Sequence, residues 1–380
     1  MHTNQKTYLK RLQSLDALRG FDMFWIISGE GLIHSWAAAS DNSLINWMSD
    51  QLHHSDWNGF TFYDLIFPLF IFIAGVSMPY SMGKQLEGST AENKSAIRQK
   101  ILWHLLKRTL ILIILGMVVN GLLKWQGYEN TRFASVLGRI ALSCFFAGLI
   151  FLYCDLRGQL LWFAGLLIGY WVVMKFVPVP GFGAGVLTPE GNMEAYIDRI
   201  LLPGKLHRKV YDPEGLLSTI PAIANALMGI FTGQFLRWSS TRWTPLKKGF
   251  LMIPVGLLLI AIAWIWHLDF PINKNMWTSS FVLLTCGWSL LFLSAFYLII
   301  DVAGFQKWSM PLVWIGMNSI TIYMASHGVI DFEHTTVFLF GGLIKFAEAA
   351  WQPVWLAVGI VIVQLGFLYF LYRQKWFLKV

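Results

Sequence analysis

The feature that most constrains this chain is a series of uninterrupted apolar runs, such as those from Phe250 to Trp266 and from Pro353 to Tyr372. Helices of about 20 such residues cross a hydrocarbon core of roughly 30 Å and satisfy their own backbone hydrogen bonds inside it. The runs are continuous and do not alternate, which excludes a transmembrane β-barrel. A composition of 56% hydrophobic and 13% charged residues, with 19 Trp and 29 Phe among 380, excludes a water-soluble fold. The expectation is an all-α polytopic membrane bundle of about ten helices, one domain over residues 1–380.

The runs set ten spans: 17–38, 60–82, 100–122, 133–153, 158–177, 216–237, 246–267, 277–300, 310–330 and 352–372. With the N-terminus inside, the inner segments hold 19 Lys and Arg, from Lys6, Lys10 and Arg11 to Lys375 and Lys379. The outer segments hold eight: Lys124, Arg132, Arg199, Lys205, Arg208, Lys209, Lys274 and Lys345. The positive-inside bias therefore puts both termini in the cytoplasm. The first 14 residues are polar and basic and lead into a full-length span, so no cleavable signal peptide is expected. The bilayer is the expected partner of a net charge of +8 distributed in this way, and nucleic acid is not. Cys144, Cys154 and Cys286 lie in or beside apolar helices at no metal-like spacing. They read as structural thiols, and no metal is expected.

One outer loop carries two histidines and a carboxylate: His53-His54-Ser55-Asp56-Trp57-Asn58-Gly59. It runs directly into the apolar helix that ends near Met82. Histidine titrates near pH 6.5, so it serves as base or acid at neutral pH. Equally, such a loop is an interfacial turn with snorkelling histidines and an anchoring Trp57.

Other ionisable residues gather toward the same side. At 1.5 Å per residue, Glu30 lies about 20 Å from the start of the first span, with His34 one turn further on its face. A carboxylate inside a span is by default a functional candidate, and so is Asp22. The alternative for both is a buried pair with Arg139 or another bundle residue. Asp64 stands at the outer N-terminus of the second span, where the helix dipole favours an anion; it orients His54, holds an amine, or is a plain helix-end charge. Arg139 needs an acceptor inside its apolar stretch, either an anionic cofactor group or a carboxylate such as Asp22. The long outer connection 178–215 is functional or disordered by length. It carries His207, Tyr211, Asp212 and Glu214 as sugar contacts, Asp212 being alternatively a helix cap before Pro213. Asn318 is a ligand or an interhelical clip. His327 faces the same side as His54, and a short half-helix is expected over 336–348. At the inner side, Ser14 is placed to cap the first helix, and Asp16 and Arg19 pair three residues apart. Arg19 is a phosphate contact or only a positive-inside anchor.

Seven segments carry a resemblance, in order. They are Arg11 with Ser14-Leu15-Asp16 and Arg19-Gly20, then His54-Ser55-Asp56-Trp57-Asn58-Gly59 with Asp64-Leu65-Ile66-Phe67-Pro68, then Val136-Leu137-Gly138-Arg139. Tyr196-Ile197-Asp198-Arg199, Tyr211-Asp212-Pro213-Glu214-Gly215, Pro271-Ile272-Asn273-Lys274-Asn275-Met276-Trp277 and Gly316-Met317-Asn318-Ser319 complete them. The chain resembles the heparan-alpha-glucosaminide N-acetyltransferase family of lysosomal enzymes and their bacterial membrane homologues. The resemblance implies transfer of acetyl from cytoplasmic acetyl-CoA to an amino sugar or glycosaminoglycan-type acceptor across the membrane. The family's catalytic loop histidine matches His54 and not His53. The family's lysosomal enzyme has an asparagine near Glu30, and its large luminal N-terminal extension has no counterpart here. Those departures point to a bacterial inner-membrane version.

On this basis His54 is the expected base or acetyl carrier, with Glu30 and Asp64 as its supports. Trp57, Asn58, Tyr211, Asp212, Glu214, Asn273, Lys274, Asn275 and His327 are the expected acceptor contacts. Arg19, Lys107, Arg108, Arg139 and Asn318 are the expected coenzyme contacts, and a homodimer is the protein assembly to test. The rival classes are a membrane O-acyltransferase and a sugar or peptide transporter; the internal repeats common in transporters are not visible in the sequence.

Overall fold

The computed structural model describes residues 12–88, 90, 93–124 and 127–378. The basic residues Lys6, Lys10, Arg11 and Lys379 lie outside the described residues. In chain order the α-helices are α1 (Gln13–Phe24), α2 (Glu30–Ala39), α3 (Ser43–Gln51), α4 (Phe62–Met78), α5 (Lys84–Glu87), α6 (Lys94–Val119), α7 (Val136–Tyr153) and α8 (Leu156–Phe176). They continue as α9 (Met193–Leu201), α10 (Thr219–Arg237), α11 (Pro245–His267), α12 (Ser279–Phe296), α13 (Met310–Met317), α14 (Ser319–Met324), α15 (Phe332–Ile344) and α16 (Gln352–Arg373). Among the described residues, eight helical segments are long and apolar enough to cross a membrane. They correspond to the second to eighth and the tenth of the expected spans.

The first and ninth expected spans are helical but interrupted. Between α1 and α2 the helix widens into a π turn at Trp25–Gly29. The ninth breaks at Asn318 (φ −122°, ψ 27°) and ends in a π turn, Ala325–Val329, where Gly328 takes φ 99°; π turns also occur at Pro79–Gly83 and Tyr297–Val302. Such turns are rare and occur frequently at functional sites. Ser14 does not cap α1; its buried hydroxyl makes no hydrogen bond among the described residues. Asp301 does so from 287 residues away, accepting from Gln13 N at 3.1 Å and Ser14 N at 3.2 Å.

α4 is the central helix. Its apolar window is 78% buried, against 22% for α8 and α11, which turn most of theirs outward. Its close neighbour is α10, and backbone contact explains why. A Cβ at Gly75 would lie 2.2 Å from Ala226 O; at Gly229 and Gly233 it would lie 2.1 Å from Phe72 O and 2.4 Å from Val76 O. Small residues four apart let helix backbones meet where no hydrophobic force separates protein from lipid. The α1–α13 crossing uses the same device at Gly20 and Gly316.

The 178–215 connection is ordered. It holds α9, a bridge between Val179 and Gly183, and a second bridge from Gly204 to Arg132. The 39–59 loop contains α3, and the expected half-helix is α15, packed on α16. These pieces roof the end of the bundle at which α4 begins.

Candidate functional site

Asp64 is the third residue of α4 and is fully buried. One carboxylate oxygen accepts from Thr61 N and Oγ1, each at 3.2 Å, completing a capping box at the helix start. That oxygen also accepts from Ser55 N at 3.3 Å and Ser55 Oγ at 2.9 Å. The other oxygen lies 2.8 Å from His54 Nδ1. An ionised carboxylate only accepts, so Nδ1 carries the proton and Nε2 is left as the acceptor. The His54 side chain is 47% exposed and therefore reachable.

The turn Pro271–Trp277 brings a cation to this imidazole. Asn273 Oδ1 accepts from Met276 N at 2.8 Å, and Trp277 N donates to Lys274 O at 3.1 Å. Trp277 closes the turn at φ 52°, a left-handed conformation that costs a non-glycine residue roughly 1–3 kcal/mol. Packing holds it there: its Nε1 donates to Asn225 Oδ1 at 2.9 Å, and the rings of Phe67 and Phe281 stand edge-on at 5.0 and 5.2 Å. The Arg139 guanidinium lies 4.8 Å from the ring centre. The turn places Lys274 Nζ 2.9 Å from both ring nitrogens of His54 and 3.7 Å from Asp64. An amine equidistant from both ring nitrogens stands beside the ring and not on the in-plane lone pair of Nε2, so Nε2 keeps its acceptor position. Burial draws the Lys274 pKa below its ordinary value, and the Asp64 charge only partly opposes this.

Glu30 does not touch His54. The Tyr63 ring lies 4.8 Å from the His54 ring, and the Tyr63 hydroxyl donates to Glu30. Glu30 also faces His34 Nε2 at 3.6 Å, as the one-turn spacing requires. Its support of His54 is therefore indirect, through Tyr63. Glu30 and Glu333 line a cavity of about 270 Å³ between α2 and α16.

Trp57 Nε1 donates to Leu187 O at 2.8 Å, and its ring meets Tyr211 edge-on at 5.1 Å. Asn58 Oδ1 accepts from Asn273 Nδ2 at 3.2 Å, and Gly59 N donates to Ile272 O at 2.9 Å. Asn275 is partly exposed on the same turn. Asp212 is neither a helix cap nor open to an acceptor. It is fully buried, with Arg132 Nε at 2.8 Å, His207 N and Glu214 N, both at 3.0 Å, among its donors. Burial alone would raise its pKa, but the Arg132 hydrogen bond and charge hold it below the usual carboxylate value. Arg132 also donates to Glu214, whose charge reaches Lys274.

Arg139 is not paired with Asp22. It donates to Ser218 Oγ and, at 3.2 Å, to Gly215 O. Ser218 Oγ in turn donates to Glu194 at 3.0 Å. Glu194 and Asp198, one turn apart on α9, are both fully buried beside Gly215. Burial, reinforced by Asp198, pushes the Glu194 pKa well up. This acid pair, Tyr63 and the His54–Lys274 contact were missed from sequence. The four-residue spacing of Glu194 and Asp198 was the available signal; the other two are tertiary.

His327 is not joined to His54 by any described bond; its Nδ1 lies 2.8 Å from Tyr323 O and its ring packs on that of Tyr323 at 4.2 Å. Asn318 is no interhelical clip among the described residues, where both ends of its buried amide, like both oxygens of buried Asp22, make no hydrogen bond. Arg19 and Arg108 lie at the opposite end of the bundle. A cavity of about 360 Å³ is lined by Asp16, Arg19, Ser77, Tyr80 and Lys84, and Arg19 donates to Ser77 at 3.1 Å. A second, of about 310 Å³, is lined by Ser81, Lys100, His104 and Arg108. The two flank the C-terminal end of α4. Lys107 is exposed and lines neither.

A family profile described as "Heparan-alpha-glucosaminide N-acetyltransferase, catalytic" matches residues 11–261. Two curated proteins named heparan-alpha-glucosaminide N-acetyltransferase are also similar. The Homo sapiens protein is 30% identical over 381 aligned positions, covering 86% of this chain and 55% of its own length. The Mus musculus protein is 29% identical, covering 86% and 56%. The chain spans about half the length of the curated relatives it matches.

Proposed function

Because this chain belongs to the heparan-alpha-glucosaminide N-acetyltransferase catalytic family, we propose that it transfers acetyl from acetyl-CoA to the amine of an amino sugar. The observation that carries this is the 2.8 Å bond from His54 Nδ1 to Asp64, which leaves Nε2 as a fixed proton acceptor on a reachable ring. An attacking amine must lose a proton as its nitrogen bonds to the thioester carbonyl, and a positioned base takes it. His54 Nε2 is that base, or else the nitrogen that first carries the acetyl group. Glu214, Lys274 and Asn275 flank the acceptor amine, and the partly exposed Trp57 ring offers an apolar face to a sugar, while buried Asn273 and Tyr211 support the turn and that ring.

The coenzyme fits the other end. Arg19 and Lys84 in one cavity, and Lys100 and Arg108 in the other, supply charge-assisted donors for phosphates. Between the ends, the unsatisfied Asp22 carboxyl and Asn318 amide suit the amide groups of a pantetheine arm, since buried polar atoms require partners. The basic end is the cytoplasmic face and the His54 end the outer face of a bacterial inner membrane. The protein is an integral membrane protein with apolar helices exposed on its flanks.

The test is CoA release by purified protein given acetyl-CoA and a panel of amino sugars and glycosaminoglycan fragments. An N-acetyl product is expected. An O-acetyl product would favour the O-acyltransferase class, and uptake of sugar without CoA release would favour a transporter.

A further inference from the structure

The imidazole that an acceptor amine must reach already has an amine of the chain itself beside it. Lys274 Nζ lies 2.9 Å from both ring nitrogens of His54, of which Nδ1 is also held by Asp64. The lysine is only 13% exposed, and the strained turn closed by Trp277 keeps its backbone in place. Lys274 therefore places an amine beside the imidazole whose Nε2 is the base, with little water to displace. We propose that Lys274 is a self-acetylation site, modified from the same acetyl thioester when no acceptor occupies the site. This rests on the acetyl transfer proposed above.

The step balances without any further reagent. The Nζ lone pair attacks the thioester carbonyl carbon, and a C–N bond forms as the C–S bond breaks. The Nζ proton passes to His54 Nε2 and from there to the departing thiolate. The products are an amide at Lys274 and free CoA thiol. Burial, which lowers the Lys274 pKa, raises the fraction of neutral amine available. An acetyl-imidazole surrenders its acyl group to an amine; an alkyl amide does not. Acetylated Lys274 is thus a dead end. It removes a cation 3.7 Å from Asp64 and adds bulk beside the base. A chain supplied with thioester but starved of acceptor would silence itself.

The experiment incubates the purified full chain with carbon-13 acetyl-CoA, with and without glucosamine, and maps acetyl groups by peptide mass spectrometry. Lys247 and Lys307, exposed at the opposite end, are internal references. Without acceptor, Lys274 should acquire label at least about 10²-fold faster than either, the low end for a positioned general base. Glucosamine should suppress that label, and turnover should decay after preincubation with acetyl-CoA alone. Lys274→Arg should lose the mark, and His54→Ala should reduce it to the reference rate. Equal labelling of all three lysines, or unchanged Lys274 labelling in His54→Ala, overturns the proposal. So does acetylated glucosamine with unlabelled Lys274, which leaves the acetyl transfer standing. Absence of both product and label overturns the acetyl transfer and this inference with it.

Discussion

The His53 ring lies stacked on His34, centroids 4.3 Å apart and planes inclined by 18°, while the adjacent His54 turns away to Asp64. Neighbours in sequence thus have separate partners, and only one of them has a carboxylate to fix its proton. His54→Ala should lose at least about 10²-fold in turnover, yet still fold and bind acetyl-CoA. His53→Ala should stay within a few-fold. CoA release with glucosamine as acceptor, beside a binding assay, checks both; a fully active His54→Ala protein removes the imidazole from the chemistry.

The inner cavities separate three basic residues expected to act alike. Arg19→Ala and Arg108→Ala should each raise the acetyl-CoA requirement roughly tenfold, the scale of one charge-assisted hydrogen bond. Lys107→Ala should leave it unchanged, because that side chain lines neither cavity. Initial rates against acetyl-CoA at saturating acceptor give the answer, and equal effects at all three positions would count against a specific phosphate site.

The Arg132–Asp212 pair sets an acid limit on the outer roof. The folded pKa of Asp212 is depressed, so its contribution is present above the unfolded value near 3.9 and lost as pH falls through the folded value. In Arg132→Gln the largest lowering influence is gone while the His207 and Glu214 N–H donors remain, so the folded pKa rises and the contribution shrinks. Hydrogen exchange over residues 198–215 should then show lower protection than in the native chain from about pH 5 to 8. The native chain should keep its protection across that range, and superimposable profiles would refute the pairing as the cause.

Glu194 works in the opposite sense. Its folded pKa is raised, so its contribution is present below the unfolded value and lost as pH rises through the folded one. Glu194→Gln keeps the shape of the neutral acid and should flatten the alkaline loss seen in melting curves. Glu194→Ala, which strips Ser218 of its acceptor, should lower the melting temperature at every pH. A glutamine variant as unstable as the alanine one would show that the charged form is the native one.

Orientation in the bilayer is tested at Asp56. Asp56→Cys should react with an impermeant thiol reagent from the outer side, and cysteines placed in the 83–100 segment only from the cytoplasmic side. Labelling at 56 from the cytoplasmic side alone would invert the topology.

Much of the architecture was written in local pattern. Of the ten spans drawn from continuous apolar runs, eight correspond to helices long and apolar enough to cross a membrane, and the 30-to-34 spacing put Glu30 and His34 on one face. Asp64 was legible as a helix-start anion because an N-terminal position favours one. What escaped depends on contacts between distant residues. Arg139 and Asp22 looked complementary, yet Arg139 is drawn to Ser218 and Gly215 by a folded loop whose path no periodicity encodes. Lys274 was legible as a polar outer residue, but its contact with His54 requires a left-handed Trp277, which residue preferences disfavour. The break at Asn318, which divides the ninth span into α13 and α14, leaves no compositional mark.

The Asp301 cap on α1 has a bearing on how the chain is made. Ribosomes deliver residues in order, so α1 enters the bilayer long before its cap exists. Until residue 301 emerges, the first N–H groups of α1 have only water or headgroups as partners. The beginning of the molecule is thus finished late, by a residue in its last third. A nascent chain stopped before position 301 would hold every residue of the His54 site with its opening helix still unlatched.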